Sequence, residues 1–193
     1  MPRAGLSRPA VVAAAAELAD EVGWERLTLA ALAGRVGVRL PSLYKHIDSL
    51  DGLRRDIAVL AVTELGAAVS DAAVGRAGGD GLRAVAGAYR GYAQRHPGRY
   101  AATVRAPAAD DAEHTAAAET VLRVVWAVLG GYSLAGSDAI DATRALRAAL
   151  HGFVTLEAGG GFGLPQDVDR SFDRLVDGFD ATLHRWATTG QPA

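Results

Sequence analysis

The chain has 193 residues, half of them hydrophobic, with a formal net charge of −2 and no cysteine. That length suits one or two small domains with a real apolar core. The missing cysteine excludes disulfides, thiolate catalysis and cysteine-ligated zinc, and the mild acidity argues against an indiscriminate nucleic-acid binder. No run of about 18 apolar residues is present to cross a bilayer. The opening residues lack a signal-peptide pattern, so a cytoplasmic protein without a membrane partner is expected.

In chain order, the first predicted helix covers 8–22, with Ser7 as N-cap and Val11, Ala15, Leu18 and Val22 on one face; Gly23 closes it. A second helix follows Thr28, a good N-cap, with Leu29, Leu32, Ala33 and Val36 at helical spacing. Gly37 can take the left-handed conformation that ends it and starts a tight turn. In the helix after that turn, Leu40, Leu43 and Ile47 fall on one side and are expected to anchor it. Ser42, Lys45 and His46 project from the other, with Pro41 at the edge and Tyr44 flanking. This is the outline of a helix-turn-helix, whose second helix can enter the DNA major groove. Between Arg26 and Ile47 stand four basic residues, Arg26, Arg35, Arg39 and Lys45, and no acid. Such a local patch can bind phosphates without making the whole protein sticky.

Ser49 or Asp48 caps a long helix over about 50–73. Residues 75–81, rich in glycine, read as a linker. Further helices are expected over about 81–95, ended by His96-Pro97, then 98–105, 112–130, 139–158 capped by Ser137-Asp138, and 168–188. Glycines at 159–163 form a connection. No strand is needed. The fold class is therefore all-α, with an N-terminal three-helix helix-turn-helix domain (1–48), a long connecting helix (50–73) and a helical bundle (75–193). The last two helices carry wide apolar stripes. These stripes either pair two subunits into a four-helix bundle or are consumed within one subunit.

Catalytic signatures are missing from the pattern. There is no Gly-x-Ser-x-Gly, no phosphate-cradling Gly-x-x-x-x-Gly-Lys-Ser/Thr and no His-Glu-x-x-His, and glycines 159–163 follow a helix rather than a strand. No catalytic residue, metal site or cofactor is expected. A helical enzyme acting on a small molecule is the competing class.

The run Leu29-Ala30-Ala31-Leu32-Ala33, then Val36-Gly37-Val38, then Ser42-Leu43-Tyr44-Lys45-His46-Ile47 resembles the DNA-binding domain of TetR-family transcriptional regulators. Leu150-His151-Gly152-Phe153, with Gly161-Phe162 beyond it, resembles the C-terminal domain of the branch with a Trp/His-Gly motif. The resemblance implies a homodimer formed through the last two long helices, a double-stranded DNA partner and a small-molecule effector. Carried over by position, Pro41, Ser42 and Lys45 face the groove, with Leu40 near the base edges, and Tyr44, His46 and Thr28 meet phosphates. Arg39 and Leu40 depart from the family pattern, in which a Ser or Thr cap and a polar residue are common. A lysine often found at 50 or 51 is also absent. Candidate ligand residues are Tyr89, Tyr92, Tyr100, Trp126, His151 and Phe153, although aromatics at helical spacing, and a histidine in an apolar helix, more often belong to a core. The expected function is a ligand-responsive repressor; the alternative is a dimeric DNA-binding protein whose C-terminal half binds no small molecule.

Overall fold

The computed structural model describes residues 6–189, with side chains to 186. Residues 1–5, which carry most of the opening segment read for a leader, lie outside them. Helices run in the order α1 (Arg8–Val22), α2 (Leu29–Val36), α3 (Leu40–Leu43), α4 (Leu50–Ala73), α5 (Gly78–Arg95), α6 (Pro97–Ala102), α7 (Ala112–Gly130), α8 (Gly136–Ala158) and α9 (Val168–Thr189). A single 3-10 turn, Trp24–Arg26, sits between α1 and α2, and no strand occurs among the described residues. The chain divides into two compact units. One comprises the residues up to Glu64 together with Arg95–Thr115; the other comprises Leu65–Gln94 and the residues from Ala116 onward.

The first unit is built around α1. Its apolar face is dominated by small residues, Ala15, Ala16 and Ala19, all fully buried beside Val11 and Leu18. Small side chains let neighbouring helices approach closely, and Leu27, Leu32, Leu43, Ile47, Leu53 and Ile57 fill the same core. The closest approach is by α6. An added Cβ at Gly98 would lie 2.1 Å from the Ala19 carbonyl oxygen. Polar bonds fix that crossing. Asp20 accepts the Arg99 backbone N–H at 2.8 Å, its other oxygen lies 3.1 Å from Arg99 Nε, and His96 Nδ1 is 3.3 Å away. With these bonds, 95–115 belongs to the first unit.

A second polar cluster joins α4 to the start of α7. Arg55 forms a two-pronged pair with Asp111, reaches Glu113 at 2.6 Å and touches Asp56 at 3.2 Å; Asp56 also receives Arg8 at 2.8 Å. The Arg55 guanidinium, helped by the backbone N–H of His114, holds the Asp111 carboxyl well below the usual carboxylate range.

In the second unit, α5 contributes Leu82, Val85, Ala86 and Tyr92 to the core, α7 contributes Val128 and Leu129, and α8 contributes Leu146, Leu150 and Val154. Arg90, itself buried, ties three helices together. It bonds Glu157 of α8 (Nε to Oε2, 2.9 Å) and Asp169 of α9 (2.7 Å), and its guanidinium lies over the rings of Phe172 and Phe153 at 4.8 and 5.6 Å. The pair with Arg90 lowers the Glu157 carboxyl from its ordinary value. Tyr132 donates its hydroxyl to Asp180, and burial together with that carboxylate pushes the phenol up.

Three local expectations change. The glycines read as a linker begin α5 at Gly78, because backbones cross there: a Cβ at Gly131 would sit 2.5 Å from the Gly78 nitrogen. Helix α8 starts earlier than its Ser-Asp pair suggests, at Gly136, with Ala135 as an extended N-cap and no side-chain cap bond. Helix α6 starts at Pro97 and stops at Ala102, three residues short of the expected end.

Replacing Gly98 by alanine forces the α1–α6 crossing apart and should destabilise the protein by about 3 kcal/mol, the upper part of the overpacking range. Gly34 has no neighbour within 4 Å of an added Cβ and negative φ. Gly34→Ala should therefore stabilise by about 0.5–1 kcal/mol; denaturant melts of both variants check the contrast. Acid provides a second check. Because the folded-state value of Asp111 is depressed, its contribution is complete above about pH 4 and is lost as pH falls below that. The melting temperature of Asp111→Asn should consequently fall less than that of the parent between pH 7 and pH 3.

Candidate nucleic-acid interface

The geometry of the helix-turn-helix follows from local bonds. Thr28 is extended, and its Oγ1 accepts the Ala31 N–H at 3.2 Å, capping α2. At the other end Gly37 is left-handed (φ 69°, ψ 32°). Its N–H reaches the Gly34 carbonyl at 3.3 Å, and the Val38 N–H reaches that of Ala33 at 3.0 Å. This paired closure turns the chain sharply into α3. Pro41 occupies the first turn of α3, where its missing N–H costs nothing.

Helix α3 is a single turn. Beyond Leu43 the chain tightens: Lys45 N–H points to Ser42 at 3.4 Å, and His46 N–H to Leu43 at 2.9 Å. Leu43 and Ile47 are buried at 0% and 2% exposure. Leu40, expected with them as a third anchor, is instead 39% exposed. A helical Cβ tilts toward the N-terminus, so the side chain of the first residue reaches past the helix rather than onto the core. The outward surface is therefore Arg39, Leu40, Pro41, Tyr44 and Lys45, all exposed, with Ser42 and His46 half-buried at its margin and Thr28 exposed at the start of α2.

The basic patch is smaller than the sequence suggests. Arg35 turns back onto α1, where it pairs with Glu17 at 3.2 Å and with Glu21, and these bonds raise its pKa while lowering that of Glu21. Arg26 donates to the Val22 carbonyl at the end of α1. Arg39 and Lys45 form no ion pair with any described residue. The two glutamates were visible in the sequence at i and i+4 on the polar face of α1, but nothing local assigns them to Arg35. No local pattern singles out Arg54 of α4, whose guanidinium lies 5.5 Å from the Trp24 ring.

The candidate ligand residues divide between the two units. Tyr100 belongs to the first unit; Tyr89, Tyr92, Trp126, His151 and Phe153 belong to the second. Tyr92 and Phe153 are buried, Tyr89 and His151 half-buried, and Trp126 exposed. Phe153 packs against Phe162 and Phe172, with centroids 4.8 and 5.1 Å away. A cleft of about 620 Å³ opens beside that cluster between α5 and α9. Its walls include Arg83, Arg90, Asp169, Asp173 and Phe172, and none of the six candidates lines it. Among the described residues no cluster of three or more His, Cys, Asp or Glu could hold a metal, and no helix is long and apolar enough to cross a membrane.

A capped helix, a glycine turn and a short second helix displaying cations around an apolar centre define a helix-turn-helix DNA-binding protein. Comparison with known proteins agrees. Residues 11–57 match the family model of bacterial regulatory proteins of the tetR family, and residues 82–179 match that of the tetracyclin repressor-like C-terminal domain. The chain is 41% identical over 193 residues to the uncharacterized HTH-type transcriptional regulator Rv0681 of Mycobacterium tuberculosis, covering 98% of this chain and 87% of that one. It is 36% identical over 180 residues to YobS of Bacillus subtilis, a protein of the same description, covering 92% and 93%. A variant of TetR from Acinetobacter baumannii, in complex with minocycline, superposes with a TM-score of 0.70 at 25% identity, covering 94% of this chain and 98% of that one. A Rhodococcus protein of unknown function superposes at 0.72 and 26%, covering 96% and 97%. The chain belongs to the TetR family of bacterial transcriptional regulators. It is a regulator, not an enzyme.

Arg39 occupies the N-cap of α3 with extended backbone and no side-chain cap bond. Arg39→Ser supplies the missing acceptor and should raise stability by about 1 kcal/mol, read as a shift in denaturation midpoint with an unchanged slope.

Proposed function

We propose that this regulator is a ligand-responsive repressor, a homodimer paired through α8 and α9 whose two α3 helices read a pseudo-palindromic operator. The observation that carries this reading is the outward face of α3, where unpaired Arg39 and Lys45 frame Leu40, Pro41 and Tyr44. In this arrangement Pro41, Ser42, Lys45 and Leu40 approach base edges, and Thr28, Tyr44, His46 and Arg39 hold phosphates. Phosphate contacts set register while base contacts carry sequence information. Two such helices fit successive major grooves when about 34–36 Å apart.

The pairing is supported by apolar side chains left half-buried along one face of α9, Leu175, Phe179 and Trp186. A two-fold bundle of α8 and α9 with their copies would cover such surface. An effector in the second unit is supported by the A. baumannii TetR, solved with minocycline, and by the amphipathic cleft between α5 and α9. An effector acts through its difference in affinity for two states. Here those states differ in the setting of α4 and hence in the spacing of the paired α3 helices.

Selecting bound fragments from random duplexes, then measuring affinity at two salt concentrations, tests the reading. It yields the half-site, the half-site spacing and the number of phosphates neutralised. Lys45→Ala should cost about 1–3 kcal/mol on the selected operator and far less on unrelated duplex. Tyr44→Phe should lower affinity on all sequences while leaving the preferred one unchanged. Binding as a monomer, or no selected sequence at low ionic strength, would overturn the proposal.

A further inference from the structure

We infer that Leu40 reads the 5-methyl group of a thymine, one in each half-site. The inference rests on α3 entering the major groove, and it adds the base class that position 40 selects. Between Thr28 and Ile47 the core takes up the aliphatic side chains: Leu32, Leu43 and Ile47 are at most 2% exposed, and Leu29, Val36 and Val38 pack against the same cluster. Leu40 alone among these aliphatics stands out at 39% exposure. It is the first residue of α3, the end of a recognition helix that meets base edges.

The chemistry available there is narrow. Leucine has no donor or acceptor, and the next residue, Pro41, also exposed, has no backbone N–H. In the major groove guanine, adenine and cytosine present ring nitrogens, a carbonyl or an amino group, whereas thymine adds a methyl. Leucine pressed against the polar edges would strip them of water without replacing a hydrogen bond, which is unfavourable. Against thymine it buries two apolar groups together. The rigid Pro41 ring widens the apolar contact at little entropic cost. Arg39 and Lys45, unpaired on either side, hold this apolar point against a polyanion rather than against a protein surface.

The experiment starts from duplexes recovered by the wild-type chain, in which each thymine of a half-site is replaced singly by uracil, removing only the methyl. At one thymine the swap should weaken wild-type binding about fourfold, the worth of one buried methyl. Leu40→Ala should bind the parent duplex with a similar deficit and show no further loss on the uracil duplex. Leu40→Gln should move the preference at that position to adenine, whose N6 and N7 suit an amide. Unchanged wild-type binding to every uracil duplex, or full uracil sensitivity in Leu40→Ala, overturns this inference while the groove reading stands. Failure to recover any duplex overturns the groove reading itself. Because Leu40 lies at the surface, an unchanged melting midpoint in both variants separates lost recognition from lost folding.

Discussion

The backbones of α6 and α1 cross so closely that any side chain at position 98 would meet the Ala19 carbonyl, and Asp20 clamps the crossing through the Arg99 backbone N–H. The same α1 that receives α6 presents Val11, Ala15 and Ala16 to the rest of the first unit's core. Its alanines thus serve two purposes. On one flank they admit a helix at near-backbone contact, and on the other they leave room for the leucines of α2, α3 and α4. A larger residue in that stripe would disturb the seat of the helix-turn-helix as well as the α6 crossing, because packed interiors transmit small volume changes.

Charge is organised by the same economy. Several arginines hold helices together: Arg55 on Asp111 and Glu113, Arg90 on Glu157 and Asp169, Arg99 on Asp20 and Glu64. Arg35 and Arg26 are occupied by α1. A chain with twenty basic residues and a net charge of −2 therefore displays few of them at the helix-turn-helix surface, concentrated at Arg39 and Lys45. Affinity for DNA backbone grows with each phosphate neutralised. Within the helix-turn-helix, placing the free cations at Arg39 and Lys45, on either side of α3, favours one docking orientation over general adhesion.

What was legible in the sequence was local. Ser7, Thr28, Gly23 and Gly37 mark helix ends through bonds within a few residues, so α1 and α2 were bounded correctly; Ser49, whose Oγ accepts the Gly52 N–H, likewise marks the start of α4, and α7 spans the expected 112–130. What escaped reading was tertiary. Glycine between 78 and 81 signals a chain break until a crossing at Gly131 gives the same residues a packing reason. Arg35 looked like a phosphate ligand until Glu17 and Glu21 came beside it in space. Leu40 fitted an anchoring stripe on a helix of two turns, but α3 has one, and its first residue overhangs the core. Spacing along a helix says which face a ring occupies, not which other rings share a cavity, and none of the six ligand candidates lines the cleft between α5 and α9.

The side chains that moor α3, Leu43 and Ile47, and those it displays, Arg39 through Pro41 with Tyr44 and Lys45, are separate sets. Mutation can therefore rewrite the displayed set while leaving the interior untouched. Among duplicated descendants of such a chain, operator preference is free to drift quickly against a slowly changing scaffold. The departures at Arg39 and Leu40 are what that uncoupling permits.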